Sequence, residues 1–178
     1  MSGGNERSLL DLLTPFRLTP DERARFQSAD PDSIPEKVNL LTAAALYFNS
    51  TILTEFGGHG GSVRAPGMVE QVIAVTFQTF GDVDPYPEVF AKAAMLLRGI
   101  AGGHPFHDGN KRTGFVLLMW YLDAMGTSLP PAFDVAGAVT LCVRVAAGDI
   151  RDIAAITTEL VRTYGGVDEA AGGGTGPP

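Results

Sequence analysis

One segment of this sequence, from about Asn110 to Met125, combines the length of a helix with apolar side chains on nearly every face. Its centre is an unbroken apolar run from Phe115 to Leu122. A helix that is apolar all round must be surrounded by other elements. The run is shorter than the ~18 residues that crossing a bilayer requires. We therefore predict that this helix lies at the centre of a globular domain.

The other periodic segments are also typical of helices. Thr19, Pro20 and Glu22 form a capping-box sequence that predicts a short helix. Further helices are predicted over 36–56, 67–77, 87–100, 134–147 and 149–164, with Asp134 and Asp149 as N-caps of the last two. No alternating strand pattern occurs. The predicted fold class is all-α, a compact single-domain helical bundle with a loop or weak hairpin over 78–87.

The predicted domain occupies residues 19–165 and is flanked by two different segments. Residues 1–18 carry short apolar clusters and are interpreted as an arm packed on the domain. Residues 166–178 are rich in glycine and proline and are expected to be flexible. Cys142 falls within an apolar helical pattern, so we interpret it as a core residue.

Composition limits the partners that the chain can bind. The net charge is −7 and the isoelectric point is about 4.8, which argues against direct nucleic-acid binding because that needs a basic face. The N-terminus lacks the basic-then-apolar order of a signal peptide, so we expect a cytoplasmic protein without membrane contact. Any polyphosphate must be bound locally. The sequence has three lysines, and Lys111 stands beside Arg112.

A short polar loop joins the helix that ends at Gly102–Gly103 to the central helix. The residues of this segment are His104-Pro105-Phe106-His107-Asp108-Gly109-Asn110-Lys111-Arg112-Thr113. Its last residues begin the central helix, where unpaired N–H groups and the positive end of the helix dipole favour anions. We therefore predict that Gly109, Asn110, Lys111 and Arg112 form a phosphate-binding nest, in which the glycine permits close approach of the phosphate.

Two further residues of the segment complete a site for chemistry. One carboxylate together with phosphate oxygens is typical of Mg²⁺ ligation, so Asp108 is the predicted metal ligand. His104 can accept a proton from an attacking hydroxyl because its ordinary pKa is near neutrality. A base, a metal ligand and a nest together indicate phosphoryl or nucleotidyl transfer with ATP and Mg²⁺ as the expected cofactors. Phe106 is expected to anchor the loop in the core.

The segment resembles the signature of the Fic/Doc (Fido) family, His-Pro-Phe-x-Asp/Glu-Gly-Asn followed by Gly or Lys and then Arg. Similarity to death-on-curing (Doc) toxins extends over roughly Leu40 to Gly126. The resemblance implies an all-α enzyme in which His104 takes a proton from a target protein's hydroxyl and Asp108 holds Mg²⁺. It also implies a flap that aligns the target, at residues 77–87, and makes Arg64 a candidate additional phosphate contact.

At two positions the sequence differs from the family's AMP-transferring members, and both differences bear on which group is transferred. Those members usually have Gly at the position of Lys111 and a second Arg at the position of Phe115. Both departures are similar to Doc, so the favoured function is Doc-like protein phosphorylation, with AMP transfer to the target hydroxyl as the alternative. The resemblance suggests a translation factor as a possible target.

The resemblance also bears on inhibition. Thr51 and Glu55 match part of the family's self-inhibitory helix, but Phe56 does not match its last residue. Inhibition is therefore expected from a separate antitoxin protein, as in Doc systems.

Two rival functions remain open. His59, the pair His107–Asp108 and Asp123 or Asp134 imitate the metal ligands of HD-type phosphohydrolases, whose fold is also all-α. That pair should lie on a helix, whereas Pro105 and Gly109 bracket it here. The second rival is a non-catalytic binding protein on the same fold, in which base, metal ligand and nest need not all be retained.

Overall fold

The computed structural model of the chain describes residues 17–59, 63–127 and 133–164. Within these ranges the fold is all-α and compact, as predicted, and paired extended backbone is limited to two isolated bridges. A 3₁₀ turn at Pro31–Ser33 precedes the second helix, and one turn of π-helix at Arg98–Gly102 follows the fourth. The seven α-helices are α1 (Pro20–Gln27), α2 (Ile34–Phe56), α3 (Met68–Val75), α4 (Val89–Leu97), α5 (Asn110–Ala124), α6 (Val135–Ala147) and α7 (Ile153–Tyr164).

Helix α5 is the centre of the fold, which confirms the prediction from its apolar pattern. Twelve of its fifteen residues are buried, and the other three are Lys111, Arg112 and Asp123. Helices α1, α2, α4 and α6 pack around it. Lys111 and Arg112 therefore bring two cations to the surface at the end of α5 that joins the polar segment.

The helix starts follow local capping chemistry, with one correction. The capping box at Thr19 is present, since its N–H donates to Glu22 Oε2 at 2.8 Å. Asp134 also caps its helix, because Oδ1 accepts from Gly137 N at 2.8 Å. The prediction of Asp149 as the cap of α7 is wrong. Asp152 Oδ1 takes that role at 2.9 Å from Ala155 N.

The physical reason lies in the end of α6. Gly148 adopts a left-handed φ of 79° there and stops the helix, as predicted. The N–H of Asp149 donates to Arg144 O at 2.9 Å, so Asp149 belongs to the end of α6 rather than to the start of α7. Helix α7 consequently begins at Ile153.

The predicted hairpin forms, but it does not lie at the polar segment. Phe80 N donates to Val83 O at 2.9 Å, and the turn lines a cavity with Tyr121 and Met125 at the C-terminal end of α5. Tyr121 is about 16 Å along the helix from Asn110. Placement of the target-aligning flap at 77–87 is therefore wrong. The reason is that α4 separates the hairpin from the segment.

Three other expectations concern the periphery and the core. Cys142 is buried in the core, as predicted, and burial raises the pKa of its thiol to about 12. No helix among the described residues has both the length and the hydrophobicity to cross a bilayer. The arm over 1–18, except its last two residues, and the tail over 166–178 lie outside the described residues.

Candidate active site

The polar segment is held from below by Phe106 and Asn110. Phe106 is fully buried, as expected of an anchor. The Asn110 side chain binds the backbone of Phe106 twice: Oδ1 accepts from the N–H at 2.9 Å and Nδ2 donates to the carbonyl at 2.9 Å. Asn110 thus holds the loop with its side chain, and its backbone N–H is the part that belongs to the helix N-terminus.

A second amide, Asn49 of α2, fixes the loop from the other side. It is 1% exposed, and Nδ2 donates to Asp108 O at 2.9 Å and to Thr113 Oγ1 at 3.0 Å. Its Oδ1 is buried without a hydrogen-bond partner among the described residues. Asn49 therefore connects α2, the loop and the first turn of α5 through one side chain.

Gly109 has a structural role that the sequence did not indicate. Its φ is +80°, in the left-handed region. A Cβ at this position would lie 2.8 Å from Asn49 Nδ2. The glycine thus permits close approach of the Asn49 amide, and this contact sets the entry of the chain into α5.

His104 has unusual backbone geometry. Its φ of 51° makes it the non-glycine residue with positive φ in the described part of the chain, a conformation that costs roughly 1–3 kcal/mol and persists only where the surroundings impose it. The π-helical turn Arg98–Gly102 ends just before it. Nε2 lies 3.3 Å from Ala146 O. Because a carbonyl only accepts, Nε2 is the donor in this contact, and Nδ1 is the nitrogen left to accept a proton.

Asp108 presents an ionised carboxylate. Oδ2 accepts from His59 N at 3.0 Å and Oδ1 accepts from Gly109 N at 2.6 Å. These two backbone N–H groups, that of His59 first, lower the pKa of Asp108 below its usual value. A carboxylate that stays ionised, with further lone pairs on both oxygens, fits the coordination of a hard divalent cation.

The N-terminus of α5 supplies positive charge beside this carboxylate. Lys111 is exposed at the first turn. Arg112 donates through Nη1 and Nη2 to Gly57 O, both at 3.1 Å, and so ties the end of α2 to the start of α5. A guanidinium has five N–H donors, so this contact leaves others for an anion.

The chain just before α3 runs beside the polar segment. Val63 pairs with Phe106 in an isolated antiparallel bridge, and Arg64 N donates to Pro105 O at 2.8 Å. The Arg64 side chain also binds the segment, since Nε donates to Phe106 O at 3.0 Å. Extended backbone beside the polar segment is therefore found at Val63–Arg64 and not at the hairpin.

One cavity of about 230 Å³ unites all the site residues that the sequence singled out. A base candidate, an ionised carboxylate, three cationic side chains and a helix N-terminus thus face a common space, which suits a polyphosphate and an acceptor hydroxyl. The lining residues are Arg64, His104, His107, Asp108, Gly109, Asn110, Lys111 and Arg112.

The ligand set of an HD-type hydrolase does not assemble. Asp123, at the far end of α5, pairs with Arg23 at 3.1 Å, and Asp134 caps α6. His59 contributes its backbone N–H to Asp108. No group of three or more His, Cys, Asp or Glu residues placed to hold a metal occurs in the described ranges.

Three positioning features were missed in the sequence. Asn49 could have been found as a polar residue on the apolar face of α2, between Ala45 and Ile52. The carbonyls of Gly57 and Ala146 carry no sequence signal, because any residue has a carbonyl. The sequence also gives no signal of the π-helical turn, since the pattern over 87–100 fits an α-helix.

Comparison with known proteins places these residues in a wider context. A family model described as "Fic/DOC family" matches residues 37–122, which include most of α2 and the polar segment. The curated protein "Toxin Doc" from Mycolicibacterium smegmatis (strain ATCC 700084 / mc(2)155) is 33% identical over 125 residues. The alignment covers 70% of this chain and 88% of that protein.

Proposed function

The chain belongs to the Fic/DOC family, and on this premise we propose that it transfers the γ-phosphoryl group of Mg–ATP to a hydroxyl of a target protein. The observation that carries the proposal is the shared cavity, in which His104, Asp108 and the N-terminus of α5 face one another. A binding protein without catalysis would not need a strained histidine and an ionised carboxylate in the same small space.

His104 is the proposed general base. Its Nε2 is committed to Ala146 O, so Nδ1 accepts the proton of the acceptor hydroxyl. The hydroxyl oxygen then forms a bond to the γ-phosphorus, and the bond from that phosphorus to the bridging oxygen breaks. ADP leaves with the electron pair, and the proton remains on His104 until it is released to solvent. The phosphorylated hydroxyl and ADP are the products.

The phosphates are proposed to lie against the first turn of α5. The free N–H groups there, with Lys111, Arg112 and Arg64, provide donors and charge in an otherwise acidic chain. Asp108 is the residue proposed to hold Mg²⁺, and its carboxylate is kept ionised for that purpose by two backbone N–H donors. When bound, Mg²⁺ would neutralise phosphate charge and fix the orientation of the phosphates.

Two side chains favour phosphoryl over AMP transfer. Phe115 is 6% exposed and belongs to the core, so no cation reaches the cavity from the position where AMP-transferring members usually have an arginine. Lys111 lines the cavity where those members usually have a glycine. The charge is therefore concentrated at the first turn of α5, which supports the Doc-like orientation of the nucleotide.

The target chain is proposed to align along Val63–Arg64, the extended backbone that runs beside the loop. This segment replaces the hairpin over 77–87 in the role expected of a flap. Because the related protein is named Toxin Doc, we also propose a toxin–antitoxin setting in the cytoplasm, with a separate antitoxin as the inhibitor and a translation factor as the target.

The test uses ATP labelled at the α or the γ phosphate. The protein, Mg²⁺ and each label are incubated with cell lysate, and protein-bound label is counted. Transfer from γ alone supports phosphorylation, and transfer from α means AMP transfer. His104→Ala should abolish transfer. Ser50→Ala is the control because Ser50 is exposed on α2 and does not line the cavity. Absence of transfer by the wild type, or full transfer by His104→Ala, would contradict the proposed mechanism.

A further inference from the structure

A second and larger cavity adjoins His104. It measures about 610 Å³ and lies between α3, the π-helical turn and the end of α6. We call it the valine–arginine groove and define it by Val72, Val75, Met95, Arg98, His104 and Arg151. His104 is the one described residue that lines both this groove and the phosphate cavity. An occupant of the groove is therefore placed directly at the base.

The walls of the groove have a distinct chemistry. Val72, Val75 and Met95 provide aliphatic surface, while Arg98 and Arg151 are exposed at the rim. No aspartate or glutamate is found among its described lining residues, although the chain as a whole carries a net charge of −7. The charged side chains of the lining itself are thus arginines, and the complementary occupant has both apolar and acidic groups.

The shape of the surface points to a polypeptide. Beyond the groove, the apolar surface continues along α6 through Val143 and Val139, each 48% exposed. Both lie on the same helix face as Ala146, which lines the groove, because they precede it by three and seven residues. No phenylalanine, tyrosine or tryptophan lines the described groove, so it offers no aromatic face on which a nucleotide base could stack.

We propose that the valine–arginine groove docks a second stretch of the target protein, beside the acceptor hydroxyl and in addition to the stretch aligned along Val63–Arg64, and that this second stretch is apolar with acidic residues. The inference rests on the proposed function, since the hydroxyl is the group that His104 deprotonates. Val75 contacts an apolar side chain of the segment and Arg98 pairs with an acidic one. The groove then selects the target, while the phosphate cavity on the other side of His104 binds the nucleotide.

Direct binding tests the proposal without any transfer reaction. The probe is a short fluorescein-labelled peptide with a central threonine flanked by leucine and glutamate. A comparison peptide has lysine in place of each glutamate. Fluorescence anisotropy should give tighter binding of the acidic peptide to the wild type. Arg98→Glu and Val75→Asp should each weaken it by about tenfold.

Matched controls separate a local effect from a change in net charge. Arg25→Glu makes the same charge change on α1, where Arg25 is exposed. Val161→Asp changes a valine that is 45% exposed on α7, as Val75 is on α3. Both controls should keep peptide affinity within about twofold of the wild type.

Several results would overturn the proposal. These are no binding of the acidic peptide, equal affinity for the two peptides, or controls that weaken binding as much as the groove variants do. A loss of Mg–ATP affinity in Arg98→Glu that equals its loss of peptide affinity would assign the groove to the nucleotide instead. Because peptide binding is measured without ATP, a protein that transfers no label can still pass this test. If the protein transfers label but binds neither peptide, the docking proposal is wrong while the proposed function stands.

Discussion

The Asn49 amide provides the sharpest test of how the polar segment is held. We compare Asn49→Ala, which removes its hydrogen bonds, with Asn49→Asp, which keeps the shape but replaces the donor by an acceptor. In the wild type, Nδ2 donates to Asp108 O and Thr113 Oγ1. The aspartate variant places a carboxylate oxygen against that carbonyl oxygen in a buried site.

The expected magnitudes follow from these contacts. Each net hydrogen bond contributes about 1 kcal/mol, so Asn49→Ala should lower the free energy of unfolding by about 2 kcal/mol. Asn49 Oδ1 is already unpartnered, so its removal adds no further lost bond. A buried, unpaired charge is more costly than a missing bond, and Asn49→Asp should lose roughly 3–5 kcal/mol at about pH 7. Protonation restores a donor, so that loss should shrink towards about pH 4.

Chemical denaturation of both variants measures these differences. Ser50→Ala, the exposed neighbour on the same helix, is the control and should stay within about 0.5 kcal/mol of the wild type. The reasoning is refuted if Asn49→Asp is as stable as Asn49→Ala at neutral pH, or if its cost does not depend on pH.

Three further predictions concern backbone and charge. Gly109→Ala should lose more stability than Gly81→Ala in thermal unfolding: both glycines have positive φ, at a cost of about 1–2 kcal/mol for alanine, but a Cβ meets an atom within 4 Å only at Gly109. Asp152→Ala should cost about 1 kcal/mol through loss of the α7 cap, whereas an equal loss in Asp149→Ala would contradict the corrected helix start. Two backbone N–H donors lower the pKa of Asp108, so its contribution to stability is complete above the unfolded pKa and is lost as pH falls through the folded one. The gap in unfolding free energy between wild type and Asp108→Asn should therefore stay constant from about pH 7 to pH 5 and close only below about pH 4.

Much of the fold was predictable because its signals are local. The capping box at Thr19 and the glycine at position 148 act within a few residues, and the apolar run in α5 determines its burial without reference to other segments. Asp149 failed as a cap because Asp152 competes for the same helix start, and their sequence signals are alike. The location of the hairpin over 77–87 depends on the direction of α4, which no local pattern reports.

In the candidate site, too, the local features were predictable and the contacts with distant residues were not. The segment from His104 to Arg112 is contiguous, so the sequence itself indicated that these residues lie together. Their partners come from distant positions, among them Asn49 and the carbonyls of Gly57 and Ala146. Those contacts arise from the packing of α2 and α6 against α5, and a carbonyl is the same group in every residue. The sequence therefore predicted which residues of the site lie together, but it did not predict the contacts that hold them in place.

The π-helical turn Arg98–Gly102 adds one residue to what would otherwise continue as α-helix. One residue corresponds to about 100° of rotation, so this turn changes the phase between the apolar face of α4 and the chain that follows it. Deletion of a single residue here would keep α4 seated in the core and yet turn His104 away from its cavity. At this point of the chain, length is constrained independently of side-chain identity: substitutions that keep the turn should be tolerated where insertions or deletions of one residue are not.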